Sequence, residues 1–272
     1  MSALAIASIH IYPVKSLGGF SVQQVRLTDR GLELDRRWML MDEAGRFISQ
    51  REIPAMACLH CAPMGGRFRI TDVRNGSTLD MPWTLEEGGQ VRARVWNDSV
   101  DLLLGTGEQH QWCSNALGRR VRMAYMPDRT VRRTDPHYAD TRVALNDAFP
   151  ALIISQASLD DLNARLETPV PMERFRPNFV IAGGDPYQED RWTDFTIGEV
   201  RFKCVKPCAR CVIPTTDQQT GMRSHEPSRT LATYRKVGSN VLFGMNAVFE
   251  AGGVVRAGDV VSSSLKVSQS GP

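Results

Sequence analysis

The amino-acid sequence predicts a mainly β protein of the α+β class, barrel-like, with a few peripheral helices packed outside. Three observations lead there. Short runs with period-two alternation or an apolar centre recur along the chain. Turns rich in Gly, Asp and Asn separate them. Only three stretches carry a helical signature, and neither a repeat nor a low-complexity block interrupts the pattern. The 272 residues suffice for one large domain or two of moderate size. A chain this long buries roughly three quarters of its unfolded surface, so its core needs no covalent staples.

The first strand is expected where Ile9 and Ile11 alternate with His10 and Tyr12. VQQVRL, RRWMLMD, RFRITDV and VRARVW follow, punctuated by the turns DEAGR, RNGS and EEGG. GEQHQWCSNALGRR predicts one helix, with Trp112, Cys113, Ala116 and Leu117 on one face and Gly118 as its left-handed stop. Residues 119–142 are polar and basic, centred on RTVRRTDPHYADTR, and read as the connector between two halves. The expected division is therefore a β-rich domain over 1–120, a β-barrel domain over 121–265 and a tail over 266–272. ALIIS reads as a buried strand. Ser158 and Asp161 have capping-box-like spacing ahead of the stripe Leu159, Leu162 and Leu166. NFVIAGG, DFTIGEVRFKCV, VLFGMNAVFEA and VVRAGDVVSS supply the later strands, and RTLATYRKVG a short helix stopped at Gly238.

A net charge of +3, with arginines scattered and no basic run interleaved with aromatics, argues against nucleic-acid binding. No apolar run approaches the roughly 20 residues of a membrane span. MSALAIASIHIYPVKS lacks the basic leader of a secretory signal, so a cytoplasmic protein is expected. Six cysteines in a chain of this length do not form a disulfide framework. Cys204 alternates in register with Val200 and Phe202 and reads as a buried filler.

The segment KPCARC, residues 206–211, is expected on an exposed turn. Lys206 and Arg210 flank Cys208 and Cys211, and nearby positive charge favours thiolate, the nucleophilic and soft-metal-binding form. Four readings stand side by side. The thiols are incidental; or they form a redox pair, although VIPTTD supplies no helix directly behind them. A zinc site could recruit Cys58 and Cys61 from CLHC, which reads equally well as a strand interior. Or a single thiolate binds a cofactor metal.

Basic residues elsewhere bear on the choice. YPVKSLGG places Lys15 and Ser16 in a glycine-containing turn after a strand, which suits a phosphate, although no Walker-type glycine loop precedes the lysine. LDRRWML carries Arg36 and Arg37. RFRPNFV carries Arg174, Arg176 and Asn178 at a strand entrance.

YPVKS, LDRRWML, FRPNFVIAGGDPYQEDRW, KPCARCVIPTTDQQTG and LFGMN, in this order, resemble the MOSC-domain proteins with their N-terminal β-barrel domain. By these motifs the chain looks like the mitochondrial amidoxime-reducing component and its bacterial relatives. The resemblance runs from about residue 4 to about residue 262. It implies a MOSC β-barrel packed against an N-terminal β-rich domain, and a molybdenum cofactor (Mo-molybdopterin) whose metal takes one protein thiolate. By motif match that ligand is Cys211, with Cys208 beside the site as the second candidate. Lys15, Ser16 and Arg36 are implied at the cofactor phosphate, and Arg176, Asn178 and Arg210 along the pterin. Asp147 matches a position near the metal, where it is either an acid or a solvated turn residue.

Two departures stand out. Arg37 occupies a place where relatives often carry an aromatic residue. Neither the iron–sulfur ferredoxin domain of some bacterial relatives nor an anchor of the mitochondrial kind is expected from this sequence. The implied activity is reduction of small N-hydroxylated compounds to amines or amidines, with electrons from a separate protein: ferredoxin-like, a flavin reductase or a b-type cytochrome. Two alternatives accompany it: a sulfur carrier using a cysteine persulfide, and a non-catalytic protein that stores the cofactor.

Overall fold

A computed structural model describes residues 3–265. The expected tail over 266–272 lies outside the described residues. The mainly β architecture is observed. Its largest sheet has nine strands. The path runs Val261–Leu265, Trp192–Ile197, Val200–Ala209, Asn240–Phe249, Ala151–Ser155, Phe179–Ala182, Ala5–Ile11 and Phe20–Val22, with Lys236–Val237 paired to the side of Asn240–Phe249. An isolated bridge between Ala5 and Val260 brings one edge back toward the first strand, so the sheet curls toward a barrel. Its interior packs Ile9, Phe179, Trp192, Phe195 and Phe202; a register shift between Trp192 and Phe195 lets both rings of that strand face inward. One pairing is parallel, Ala151–Ser155 with Phe179–Ala182. The parallel geometry demands a crossover, and helix α2 (Gln156–Asn163) lies within it.

A four-stranded sheet, in the order Trp38–Met41, Arg122–Tyr125, Asp98–Leu104 and Gln90–Val95, and a three-stranded meander over residues 59–82 lie within residues 38–125. Helix α1 (Gly107–Leu117) packs Cys113 into their core, with Trp112, Ala116 and Leu117 alongside. Gly118 stops it in the left-handed region, at φ 61°.

Four local expectations require correction. Residues 119–142 are not purely a connector. RMAY at 122–125 forms a strand flanked by Trp38–Met41 and Asp98–Leu104, and buries Met123, Ala124 and Tyr125. The charged neighbours hid this short apolar core. The α2 cap is Ser155, whose hydroxyl accepts from the Ser158 amide, because the ALIIS strand runs straight into the helix. Asp161 instead accepts from Arg165 and from the Tyr187 hydroxyl at 2.7 Å. Gly238, at φ 58°, turns the hairpin between Lys236–Val237 and Asn240–Phe249 and does not stop helix α3 (Ser228–Tyr234).

KPCARC, finally, begins within a ten-residue strand, Val200–Ala209. Lys206, Pro207 and Ala209 pair with Asn246, Met245 and Leu242, with register shifts between Cys204 and Lys206 and between Pro207 and Ala209. Proline cannot donate to a ladder, so the strand bulges there. Such bulges re-aim side chains, and this one sits where the two thiols leave the sheet. Cys204 is half-buried against the main core.

Candidate active site

A cleft of about 620 Å³ opens where the bulged strand, the turn after the first strand and the loop before Ala151–Ser155 meet. That volume falls within the range of small-molecule sites. Lys15, Ser16, Arg36, Asp147, Arg176, Asn178, Arg210 and Cys211 all line it, although the chain separates them by up to 196 positions, 211 − 15. Cys208 lines it too. Arg37 does not. It donates to the Met126 carbonyl and pairs with Asp128 at 2.9 Å, facing away from the cleft. Arg174 pairs with Asp217 at 2.8 Å.

Backbone strain is concentrated here. Ser16, Arg36, Arg176 and Trp96 line the cleft with φ of 67°, 48°, 59° and 57°. Each left-handed non-glycine residue costs about 1 kcal/mol, and such residues persist where the surroundings over-determine them, commonly at functional sites. The surroundings do so here. Arg36 donates to Asp35 at 2.6 Å, to the Asn178 amide oxygen at 3.2 Å and to the Arg176 carbonyl at 3.2 Å. Arg176 donates to the Leu17 carbonyl at 2.5 Å. Their guanidinium carbons stand 4.5 and 4.3 Å from the ring centroid of buried Tyr12, whose hydroxyl donates to the Pro177 carbonyl. Burial first, and then the neighbouring Arg36 charge, push Arg176 down to about 10, still cationic at neutral pH. Asn178 accepts from Arg36 and the Leu152 amide and donates to the His10 carbonyl. It orients the arginine that faces the cleft.

Lys15 is buried and donates to the Leu145 carbonyl at 2.8 Å and to Asp147 at 2.6 Å. Burial dominates and lowers its pKa to about 8, against the pull of Asp147. Burial opposes the Asp147 charge as well, but Lys15 and then Arg51 outweigh it and hold this carboxyl well below the usual range. Its side chain keeps 48% of its area in solvent, which screens this coupling. At neutral pH Asp147 is therefore an ion-pair anchor and carries no proton to give.

Two functional neighbours, Arg51 and Arg132, escaped the sequence. Arg51 donates to Asp147 at 2.8 Å, and its guanidinium carbon is 4.9 Å from the Trp96 ring centroid. Burial works against its charge; Asp147 and then the Cys211 thiol more than restore it, raising its pKa. Arg51 is thus a cation held beside Cys211, and REIP gave no cue to that placement. Arg210 turns to the other thiol, donating to Cys208 Sγ at 3.1 Å and to the Phe175 carbonyl at 2.8 Å. Arg132, from the supposed connector, is buried. It donates to the carbonyls of Ala144, Asn146 and Asp147 and to the Asp98 carboxylate at 2.7 Å. It fixes the loop that carries Asp147. Arg132→Met keeps the apolar stem but strands those carbonyls, and is expected to cost about 3 kcal/mol. An unchanged urea midpoint would show that the loop stands without it.

The four thiols of the zinc reading do not converge. Cys58 and Cys61 are core residues, and burial pushes Cys61 up to about 12. No cluster of three or more His, Cys, Asp or Glu fit for a metal occurs among the described residues. A single protein thiol with the rest of the coordination supplied by a cofactor is the arrangement this donor set can serve. The cleft also fits the anionic, hydrogen-bonding remainder of such a group. Its wall carries clustered cations, and three polar atoms of lining residues, Arg51 Nη1, Arg210 Nε and Asn146 Oδ1, are buried without a hydrogen-bond partner.

A curled β sheet carries two cleft-facing thiols among convergent cations, and the chain belongs to the MOSC family. Residues 3–120 match the MOSC N-terminal beta barrel domain and residues 140–262 the MOSC domain. Within it, the chain is 32% identical to the human mitochondrial amidoxime-reducing component 1, over 88% of this chain and 77% of that protein. It is also 32% identical to the rat mitochondrial amidoxime reducing component 2, with the same two shares. It is 33% identical to a molybdenum cofactor sulfurase of Oryza sativa subsp. japonica, over 90% of this chain but only 32% of that longer protein. The relatives place the chain among proteins concerned with the molybdenum cofactor. No helix among the described residues is long and apolar enough to cross a membrane.

Proposed function

We propose that the protein is a molybdenum-cofactor-dependent oxidoreductase that reduces small N-hydroxylated compounds to amines or amidines. The observation that carries the reading is the gathering of Cys211 with Lys15, Arg36, Arg176 and Arg210 around one cleft. The amidoxime-reducing names of relatives that share most of their length with this chain support it. In the net reaction an N-hydroxylated substrate takes up two electrons and two protons and releases water, the electrons coming from a separate redox protein.

When bound, the cofactor supplies the two-electron oxygen-atom chemistry. This chain's residues do the rest. Cys211 offers the soft ligand. Lys15, Ser16 and Arg36 would hold the phosphate end and Arg176 and Arg210 the pterin, while Asn178 fixes Arg36. Arg51 keeps positive charge beside Cys211. Asp147 holds Lys15 and Arg51 in place.

The test is metal analysis of the purified protein joined to an assay with an amidoxime and an artificial reductant. Stoichiometric molybdenum with turnover supports the reductase. A persulfide on Cys208 or Cys211, without molybdenum and without turnover, would instead support the sulfur carrier. Bound cofactor without turnover would support storage.

A further inference from the structure

The cleft contains a second group of side chains that the cofactor reading leaves unused. Lys206 Nζ sits 4.0 Å from the ring centroid of Tyr138 and 5.5 Å from that of Phe149. All three line the cleft. Among the described residues no carboxylate pairs with Lys206, and Asp147, the carboxylate of the cleft lining, is taken by Lys15 and Arg51. An ammonium placed over a ring at the mouth of a cleft, with no counter-ion, is oriented by the ring and still free to meet an anion.

The ring is held by construction. Tyr138 belongs to a closed loop. Its amide and that of Ala139 donate to the Asp135 carbonyl at 3.0 and 3.1 Å, and the Thr134 amide donates to the Thr141 carbonyl at 3.0 Å. The Thr134 hydroxyl donates to the Ala139 carbonyl, and Arg133 pairs with Asp140 at 2.8 Å. Behind Tyr138, buried Phe149 meets it edge-on, at 6.1 Å and 89°. Tyr138 itself keeps 39% of its surface exposed. A ring so presented contributes a planar apolar contact at low entropic cost.

We infer that Lys206 and Tyr138 form a specificity subsite for planar aromatic substrates bearing an anionic substituent, the substrate ring set against Tyr138 and its carboxylate or phosphate meeting Lys206. The assignment rests on the reductase reading and extends it from N-hydroxylated compounds in general to aromatic anions among them. Both residues are specificity determinants and take no part in bond breaking.

The experiment uses the cofactor-loaded protein and two matched pairs: benzamidoxime with its 4-carboxy derivative, and an N-hydroxylated cytidine with its 5′-monophosphate. In each pair the anionic member is expected to have a KM about tenfold lower, the size of one charge-assisted hydrogen bond. Lys206→Gln is expected to bring the KM ratio close to one, and Tyr138→Ala to raise KM for all four while keeping the ratio. A preference confined to one pair identifies the anion as carboxylate or phosphate. Ratios near one in the unaltered protein, or ratios unmoved by Lys206→Gln, overturn the inference. Calorimetric binding of 4-carboxybenzamidine against benzamidine, in the unaltered protein and in Lys206→Gln, reads the same preference without turnover. If no compound is reduced, the reductase reading fails while the calorimetric pair still decides the subsite.

Discussion

Cys211→Ser is expected to lower N-reductive turnover by at least about a hundredfold while leaving the fold intact. Removing even an outer-shell partner of a metal ligand costs 10- to 100-fold, and here the proposed ligand itself changes from a soft sulfur to a hard hydroxyl that stays protonated at neutral pH. The side chains are close in volume and Cys211 is only half-buried, so packing changes little. The cations that would hold the phosphate and pterin do not depend on the sulfur, so the variant is expected to retain part of its cofactor. Turnover, molybdenum content and circular dichroism together check the prediction. Full turnover in Cys211→Ser would remove the ligand assignment. Cys208→Ser is the matched comparison, because Arg210 donates to that thiol at 3.1 Å. Loss in Cys208→Ser alone would move the ligand to residue 208.

The fold was legible wherever burial imposes a short period. Ile9 and Ile11, the α1 stripe with its Gly118 stop, and the Leu159–Leu162 stripe each repeat at the spacing their environment demands. Elements whose burial is brief and flanked by charge were not. Met123, Ala124 and Tyr125 vanish among arginines, although the strand they form is flanked on both sides. The Pro207 strand was obscured by a different rule. Proline argues against a strand interior, and only the bulges that accompany it reconcile the two.

The site divides in the same way. Lys15, Arg36, Arg176 and Cys211 were found through motif resemblance, and the cleft gathers them. Local chemistry alone places each cation more readily on the solvated surface. Arg51 and Arg132 lie in unremarkable sequence, and their functions come from partners 96 and 12 to 34 positions away. The left-handed backbone of Ser16, Arg36 and Arg176 leaves no trace in residue type either, because glycine is absent from all three positions. The surrounding hydrogen bonds impose those conformations, and such bonds become visible only after folding.

Anion binding to the apo cleft is expected to weaken above about pH 8, by up to about tenfold per unit, as Lys15 loses its proton. Sulfate is the suitable probe because its own charge is constant through this range, and its binding is read as thermal stabilisation. The lowered Lys15 pKa also has a consequence for stability. The folded protein binds fewer protons than the unfolded chain between about 8 and the ordinary value of 10.5. Stability from this group therefore rises with pH across that window; its burial cost is fully present below pH 8. Asp147→Asn separates two opposing electrostatic effects. Losing a half-exposed carboxylate removes a screened repulsion, which favours the anion at every pH. Losing the partner that raises the Lys15 pKa lets the buried ammonium neutralise earlier, which disfavours the anion only at the alkaline end. At about pH 6 the variant should bind sulfate at least as tightly as the unaltered protein, and at about pH 8.5 less tightly, the two curves crossing between. Parallel curves would mean that the Lys15 charge does not govern this end of the cleft, and the phosphate assignment would then have to rest on Ser16 and Arg36 alone.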